Sequence, residues 1–333
     1  MTDRLAPPLA ASPPEKPSGP ARWTVKDVLL WTTSRFEERR LATPRLDAEI
    51  LVAHALSVAR LQLYVQFDRP LSPEELGAIR ELVKRRQAGE SVAYVIGRKE
   101  FWGLDFTVDA RVLVPRPDTE TLVDEALDRI GRAPRVRARR AAGSQSDEAS
   151  TEPAADAPEE TPPGKAAPRV VDVGTGSGAI AVTLAKERPD ALVFAVDLSP
   201  DALAVARANA ERHGAAVTFL EGDLEVPLIP HAPFDLIVAN LPYIPAGDIA
   251  GLAPEVRAEP LRALDGGPDG LALVRRLVAA APALLAPGGA IALEIGIGQA
   301  QDTARLCAAA GLIDVRVRRD LGAVERVVSA VRP

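Results

Sequence analysis

Apolar positions change period along this chain. From about Trp23 to Gly89 they recur at three and four, as in "LDAEILVAHAL" and "LGAIRELV", which predicts about three to five amphipathic helices. Thr43-Pro44 marks one start as a cap followed by proline, and Ser72-Pro73-Glu74-Glu75 marks another as a capping box. In "AYVIGRKEFWGLDFTVDARVLVPRPDTE", Gly97 and Gly103 punctuate β-prone runs, predicting a hairpin and a connecting segment; a helix carrying "TLVDEALDRI" opens near Asp118. After Arg169 strands and helices alternate. "RVVDVG", "ALVFAVDL", "VTFLEGD", "FDLIVANLP" and "AIALEIG" read as strands. "GAIAVTLAKERP", "SPDALAVARANAERHG", "LALVRRLVAAAPALLAPGG" and "QAQDTARLCAAAG" read as helices, and "IDVRVRRD" with "ERVVSAV" as a closing strand pair. Such alternation predicts an α/β fold with a mainly parallel sheet covered on both faces.

Two stretches lack any period. Residues 1–22 are rich in Pro, Ala and Ser, and 131–168 pass from an arginine cluster (Arg132, Arg135, Arg137, Arg139, Arg140) into Ser, Ala, Pro, Asp and Glu. Neither can bury enough apolar surface to offset its ordering entropy, so both are expected to be disordered. The expected organisation is therefore a tail (1–22), a helical domain (23–90), a hairpin and connecting helix (91–130), a linker insertion (131–168) and a catalytic domain (169–333).

Composition narrows the chemistry. A net charge of -6 over 333 residues argues against stable nucleic-acid binding, which normally shows a basic face. Cys307 is the only cysteine, and His54, His213 and His231 are scattered, so no metal site is expected. No apolar run is long enough for a signal peptide or a membrane span, which points to the cytoplasm.

"VVDVGTGSGAIA" sets Gly174, Thr175, Gly176, Ser177 and Gly178 where the first strand turns into a helix. Glycines there permit a tight turn and close approach of backbone to a ligand, beside the unpaired N–H groups of a helix start. Asp197 ends the next strand about 20 residues on, where a carboxylate can accept from ribose hydroxyls. A ribose-containing cofactor follows. The glycine spacing also satisfies a dinucleotide fingerprint, so a nicotinamide-dependent dehydrogenase stays open at this point.

"ANLPYIP" ends the fourth strand, and in an open α/β sheet such strand ends line the ligand crevice. Leu241 precedes proline and is pushed to extended geometry, which fixes the direction of its carbonyl. The Asn240 side-chain oxygen and the Leu241 carbonyl could accept the two N–H bonds of one NH2 group, with Pro242 bracing the chain and Tyr243 covering the plane. Two acceptors suit methylation of a planar nitrogen, which is a weak nucleophile until it is oriented and polarised.

With "VLVPRPDTETLVDEAL", "VDLSPDALAVARANA", "EVRAEPLRALDGGPDGL", "PGGAIALEIGIGQ" and "RDLGAVERVV", the chain resembles the release-factor glutamine N5-methyltransferase family of class I S-adenosylmethionine-dependent enzymes. The resemblance implies a Rossmann-like seven-stranded sheet, a small N-terminal helical domain that helps hold a protein substrate, and a connecting β-hairpin. It implies methyl transfer to the glutamine side-chain amide in the Gly-Gly-Gln motif of peptide chain release factors. By the same resemblance Gly174 to Gly178 and Asp197 bind the cofactor, Asp223 lies near the adenine amino group, Leu224 packs on the ring, and Asn240 to Tyr243 grip the glutamine. Asn240 would also approach the cofactor. The family usually has Asn-Pro-Pro-Tyr. Leu241 departs from it and is similar instead to ribosomal RNA adenine dimethylases, which keeps an adenine N6-methyltransferase acting on RNA or DNA as the alternative. Pro115-Arg116-Pro117 is expected near the active site or at a helix entry. Glu294 is expected to line the cofactor pocket or cap a loop, and Asp320 and Arg326 to pair.

Overall fold

The computed structural model describes residues 23–131 and 167–333, which form two units dividing between Ala88 and Gly89. The tail expected over 1–22, the arginine cluster and all but the edges of the expected linker lie outside the described residues.

The first unit is helical: α1 (Val25–Glu38), α2 (Pro44–Ala55), α3 (Arg60–Val65) and α4 (Pro73–Gln87). Its core gathers the predicted stripes, with Phe36, Leu51, Val52, Leu63, Ile79 and Val83 all buried. The Ser72 capping box forms, with Ser72 N–H donating to Glu75 and Glu75 N–H donating to Ser72 Oγ. Thr43 departs from expectation: its hydroxyl donates to Asp47 Oδ1 at 2.7 Å and makes no capping bond, so Pro44 at the first turn carries that start.

The second unit opens with a correction. "VAYVI" is a short helix, α5 (Val92–Ile96), and the hairpin is confined to β1 (Arg98–Phe101) and β2 (Leu104–Thr107). Ser91 Oγ accepts from Tyr94 N–H, and Gly97 closes the turn at φ +74, so local capping outweighs the β propensity of the side chains. The hairpin turns on Trp102 and Gly103, both at positive φ. A single turn, Pro117–Thr119, leads into α6 (Glu120–Ile130).

The sheet follows: β3 (Arg169–Val173), α7 (Ala179–Glu187), β4 (Leu192–Asp197), α8 (Pro200–His213), β5 (Val217–Glu221), β6 (Phe234–Ala239), α9 (Pro254–Arg257), α10 (Ala272–Leu284), β7 (Leu285–Glu294), α11 (Ala300–Ala309), β8 (Ile313–Arg319) and β9 (Glu325–Val331). Its order is β5-β4-β3-β6-β7-β9-β8, parallel except at β9. "LAPGG" belongs to β7, not to the preceding helix as its apolar pattern predicts; Leu285 already pairs with Phe234 of β6.

Alternate residues bury on opposite faces. Val171, Val173, Ile237, Ala239, Ile291 and Leu293 join one core with α10 and α11, whereas Val170, Leu236, Val238, Ala290 and Ala292 join another with α6 and α7. Strand order reverses between β3 and β6, and the crevice outside such a switch point is where open α/β sheets bind ligands.

Candidate active site

The sheet register assembles the site. Val196, Val173, Ala239 and Leu293 are paired across β4, β3, β6 and β7. One residue further along, at the carboxyl edge, come Asp197, Gly174, Asn240 and Glu294. Strand pairing alone thus sets the cofactor candidates and Asn240 side by side.

A cleft opens there, lined by Gly174, Gly176, Asp197, Asp223, Leu224, Asn240, Leu241 and Pro242. Gly174 sits at φ +75, where a Cβ would lie 3.1 Å from Leu241 Cδ2, while Gly176 faces open space. Asp197 closes the loop: its carboxylate accepts from Gly176 N–H at 2.8 Å and from Ser199 N–H at 2.9 Å. Each carboxylate oxygen keeps a second lone pair for a hydroxyl.

Thr175 and Ser177 are buried rather than lining the cleft. Thr175 donates from Oγ1 to Asp172 Oδ2 at 2.7 Å, and the Ser177 carbonyl accepts from buried Asn209. Gly178 begins α7 at φ +81, with Ala206 so near that a Cβ would lie 3.1 Å from it. Asp172 lies fully buried under the loop with Oδ1 unpartnered; desolvation pushes its carboxyl up to about 7 against the Thr175 bond. A glycine cradle, a helix start and a strand-end carboxylate fit a cofactor with ribose and a charged amino-acid tail.

On the far wall, Asp223 accepts from Arg276 Nη1 at 2.6 Å, which orients its carboxylate. Leu224 is 8% exposed at φ +48, an uncommon conformation for a branched residue, and joins the core beneath the cleft.

Asn240 donates from Nδ2 to Thr119 Oγ1 at 3.2 Å, leaving Oδ1 as its acceptor. A second cavity adjoins the first, sharing Asn240 and Leu241 and adding Arg116 and Tyr243. Burial raises the Tyr243 phenol to about 12, with the nearby Glu294 carboxyl adding to it, so the hydroxyl stays protonated. Arg116 donates to Glu259 Oε1 at 2.5 Å, joining "VPRPD" to "EVRAEP" at this cavity's edge.

Several supporting residues carry no catalytic signature in sequence. Gln299 donates from Nε2 to the Tyr243 carbonyl at 3.0 Å, and the Ile244 and Ala246 amides donate to Leu264 and Gly267. Their signal lay in "ALDGGPDG", whose glycines allow that segment to lie against Pro242 and Tyr243. Thr119, within "VLVPRPDTE", carries no local signal of its contact with Asn240.

Residues 27–97 match the family described as PrmC N-terminal domain, and residues 170–258 match a Methyltransferase domain family. The chain is 45% identical over 310 residues to the release factor glutamine methyltransferase of Geobacter sulfurreducens, covering 93% of this chain and 97% of that protein. It is 37% identical to the protein of the same name from Chlorobaculum tepidum, covering 93% and 97%. Among solved structures, the hMettl16 catalytic domain in complex with MAT2A 3'UTR hairpin 6 aligns with a TM-score of 0.51 at 14% identity, over 73% of this chain and 81% of that one. That likeness concerns the fold alone. Among the described residues no helix is long and apolar enough to cross a membrane, and no His, Cys, Asp and Glu group could hold a metal ion.

Proposed function

Since the chain belongs to the release factor glutamine methyltransferase family, we propose that Asn240 to Tyr243 hold the substrate glutamine while Gly174 to Gly178, Asp197, Asp223 and Leu224 hold the cofactor. The enzyme methylates the side-chain amide nitrogen of a release-factor glutamine, and S-adenosylmethionine supplies the activated methyl group when bound. The glutamine is that of the Gly-Gly-Gln motif.

The observation that carries the residue reading is the Asn240 amide, whose Nδ2 is engaged by Thr119 beside the glycine turn. Oδ1 and the Leu241 carbonyl then accept the two N–H bonds of the glutamine NH2. Two acceptors pull its hydrogens out of the amide plane, which frees the nitrogen lone pair from conjugation with the carbonyl and favours the tetrahedral nitrogen that a new bond requires. Pro242 limits backbone drift, and the Tyr243 ring walls the adjoining cavity. Asp197 takes the ribose hydroxyls. The Gly176 amide is held by that same carboxylate, so loop and cofactor site are set together.

A net charge of -6 favours a protein over a nucleic acid as substrate. A substrate that acts in translation puts the enzyme in the cytoplasm.

The test is a release factor incubated with S-adenosylmethionine and mapped by mass spectrometry. One methyl on the Gly-Gly-Gln glutamine is expected, and Asn240→Ala should lower its rate by about 10²- to 10³-fold with cofactor affinity retained. Methyl on another residue, or an undiminished variant, would overturn the assignment.

A further inference from the structure

Arg276 stands on α10 one turn after Leu273, on the same side of the helix, and Leu273 lines the cleft together with Asp223 and Leu224. Its guanidinium makes three separate bonds to the turn after β5. Nη1 donates to Asp223 Oδ2 at 2.6 Å, Nη2 to the Asp223 carbonyl at 3.2 Å, and Nε to Glu225 Oε1 at 3.0 Å. One planar group therefore grips the main chain and the side chain of the same residue.

What it grips would otherwise be loose. The Asp223 side chain is 49% exposed, and the next residue, Leu224, holds the left-handed conformation at φ +48. The Asp223 carbonyl accepts a second bond, from Val226 N–H at 3.1 Å, so the turn is closed from within as well as from α10. With Oδ2 taken by Arg276, Oδ1 makes no hydrogen bond among the described residues and is the acceptor left for a ligand of the cleft.

Resting on the reading of Asp223 as the group near the adenine amino group, we propose that Arg276 is a positioning residue for cofactor selection: it holds the Asp223 carboxylate as a fixed acceptor, so that the cleft takes a purine with an exocyclic amino group and rejects one with an oxo group in its place. An amino group donates N–H bonds, whereas an oxo group only accepts. A carboxylate held still meets the oxo group acceptor against acceptor, and both are left unpaired. A carboxylate free to turn escapes that clash into water, and the discrimination goes with it. Charge alone does not suffice, because a lysine ammonium is a point charge and cannot reach the carboxylate, the carbonyl and Glu225 in one fixed fork.

Binding of S-adenosylhomocysteine and of its deaminated analogue, S-inosylhomocysteine, to the full chain is measured by calorimetry. The wild type should favour the amino form by on the order of 30-fold, and Arg276→Ala by only about 3-fold. Arg276→Lys should resemble the alanine variant, and it carries the same test if alanine does not fold. A purely structural role would weaken both ligands together and leave their ratio unchanged. Asp223→Ala should lose the preference, and adding Arg276→Ala to it should move the ratio no further. A wild-type ratio in Arg276→Ala or in Arg276→Lys, or a further change in the double variant, overturns the proposal. If the wild type binds both ligands alike, or Asp223→Ala keeps the preference, the reading of Asp223 itself fails.

Discussion

Gly270 approaches Tyr243 so closely that a Cβ on the glycine would lie 2.2 Å from the tyrosine's carbonyl oxygen. The glycine also sits at φ +75, so a side chain is opposed by both space and backbone. The carbonyl it crowds is the one that Gln299 fixes. Gly270→Ala must push back the tetrapeptide that we propose holds the substrate. We expect a loss of about 1–3 kcal/mol in stability and a fall in methylation rate larger than any change in cofactor affinity. Urea denaturation with cofactor titration checks both; a variant with wild-type rate would contradict the contact's role.

The surroundings of Leu241 explain what its side chain does. It is 2% exposed and packs in the core with Leu224 and Leu271, with Cδ2 under Gly174. The side chain thus supports the floor of the glycine turn, and the carbonyl is the group we propose for the substrate. Leu241→Ala should cost about 2–5 kcal/mol and weaken cofactor binding as the turn loses its support. The rate from the fully bound state should change little, because the carbonyl stays. Thermal denaturation and rapid-mixing turnover distinguish the two effects.

Strand-helix alternation after Arg169 was legible because buried strands and covering helices follow different apolar periods, and the register followed by itself. Gly174, Asp197 and Asn240 were legible for the same reason: each stands one step past an apolar run. Thr119 and Glu259 were not, since their roles depend on contacts 121 and 143 residues away that no local pattern encodes. "AYVI" misled because β-branched and aromatic residues suit a strand until a serine cap and a left-handed glycine close them into a turn.

Arg116 and Glu259 form a pair at the edge of the Tyr243 cavity, with Glu259 4% exposed and its Oε2 unpartnered. Burial holds the Glu259 carboxyl above its ordinary range, and Arg116 pulls it back. Arg116→Ala removes the partner and leaves a buried acceptor, a loss of about 1–3 kcal/mol at alkaline pH. Without the arginine the carboxyl's pKa rises further, so the defect should shrink as pH falls and the group takes up a proton. Adding Glu259→Gln should recover part of the loss. Denaturant titrations of the single and double variants at two pH values decide it; a defect independent of pH would sink the electrostatic account.

Asp172 makes the strongest case for a pH-dependent fold. Its carboxyl ordinarily titrates at 3.8, and burial under the glycine turn raises it to about 7. Below the ordinary value both folded and unfolded chains hold the proton, and the raised pKa costs nothing. As pH rises, the unfolded chain releases its proton first and is favoured; the stabilising contribution is lost through the folded pKa and stays lost above it. Glu294, raised from 4.5 to about 7, acts in the same direction. Wild-type stability should therefore decline between about pH 4 and about pH 7, by on the order of 3 kcal/mol for each group. Asp172→Asn has no charge to bury and can still accept from Thr175 and the Ala181 amide. Its melting temperature should gain on the wild type as pH rises from about 5 to about 8, whatever the offset between them at the acid end. Parallel curves would mean that the Asp172 proton plays no part in the fold's stability.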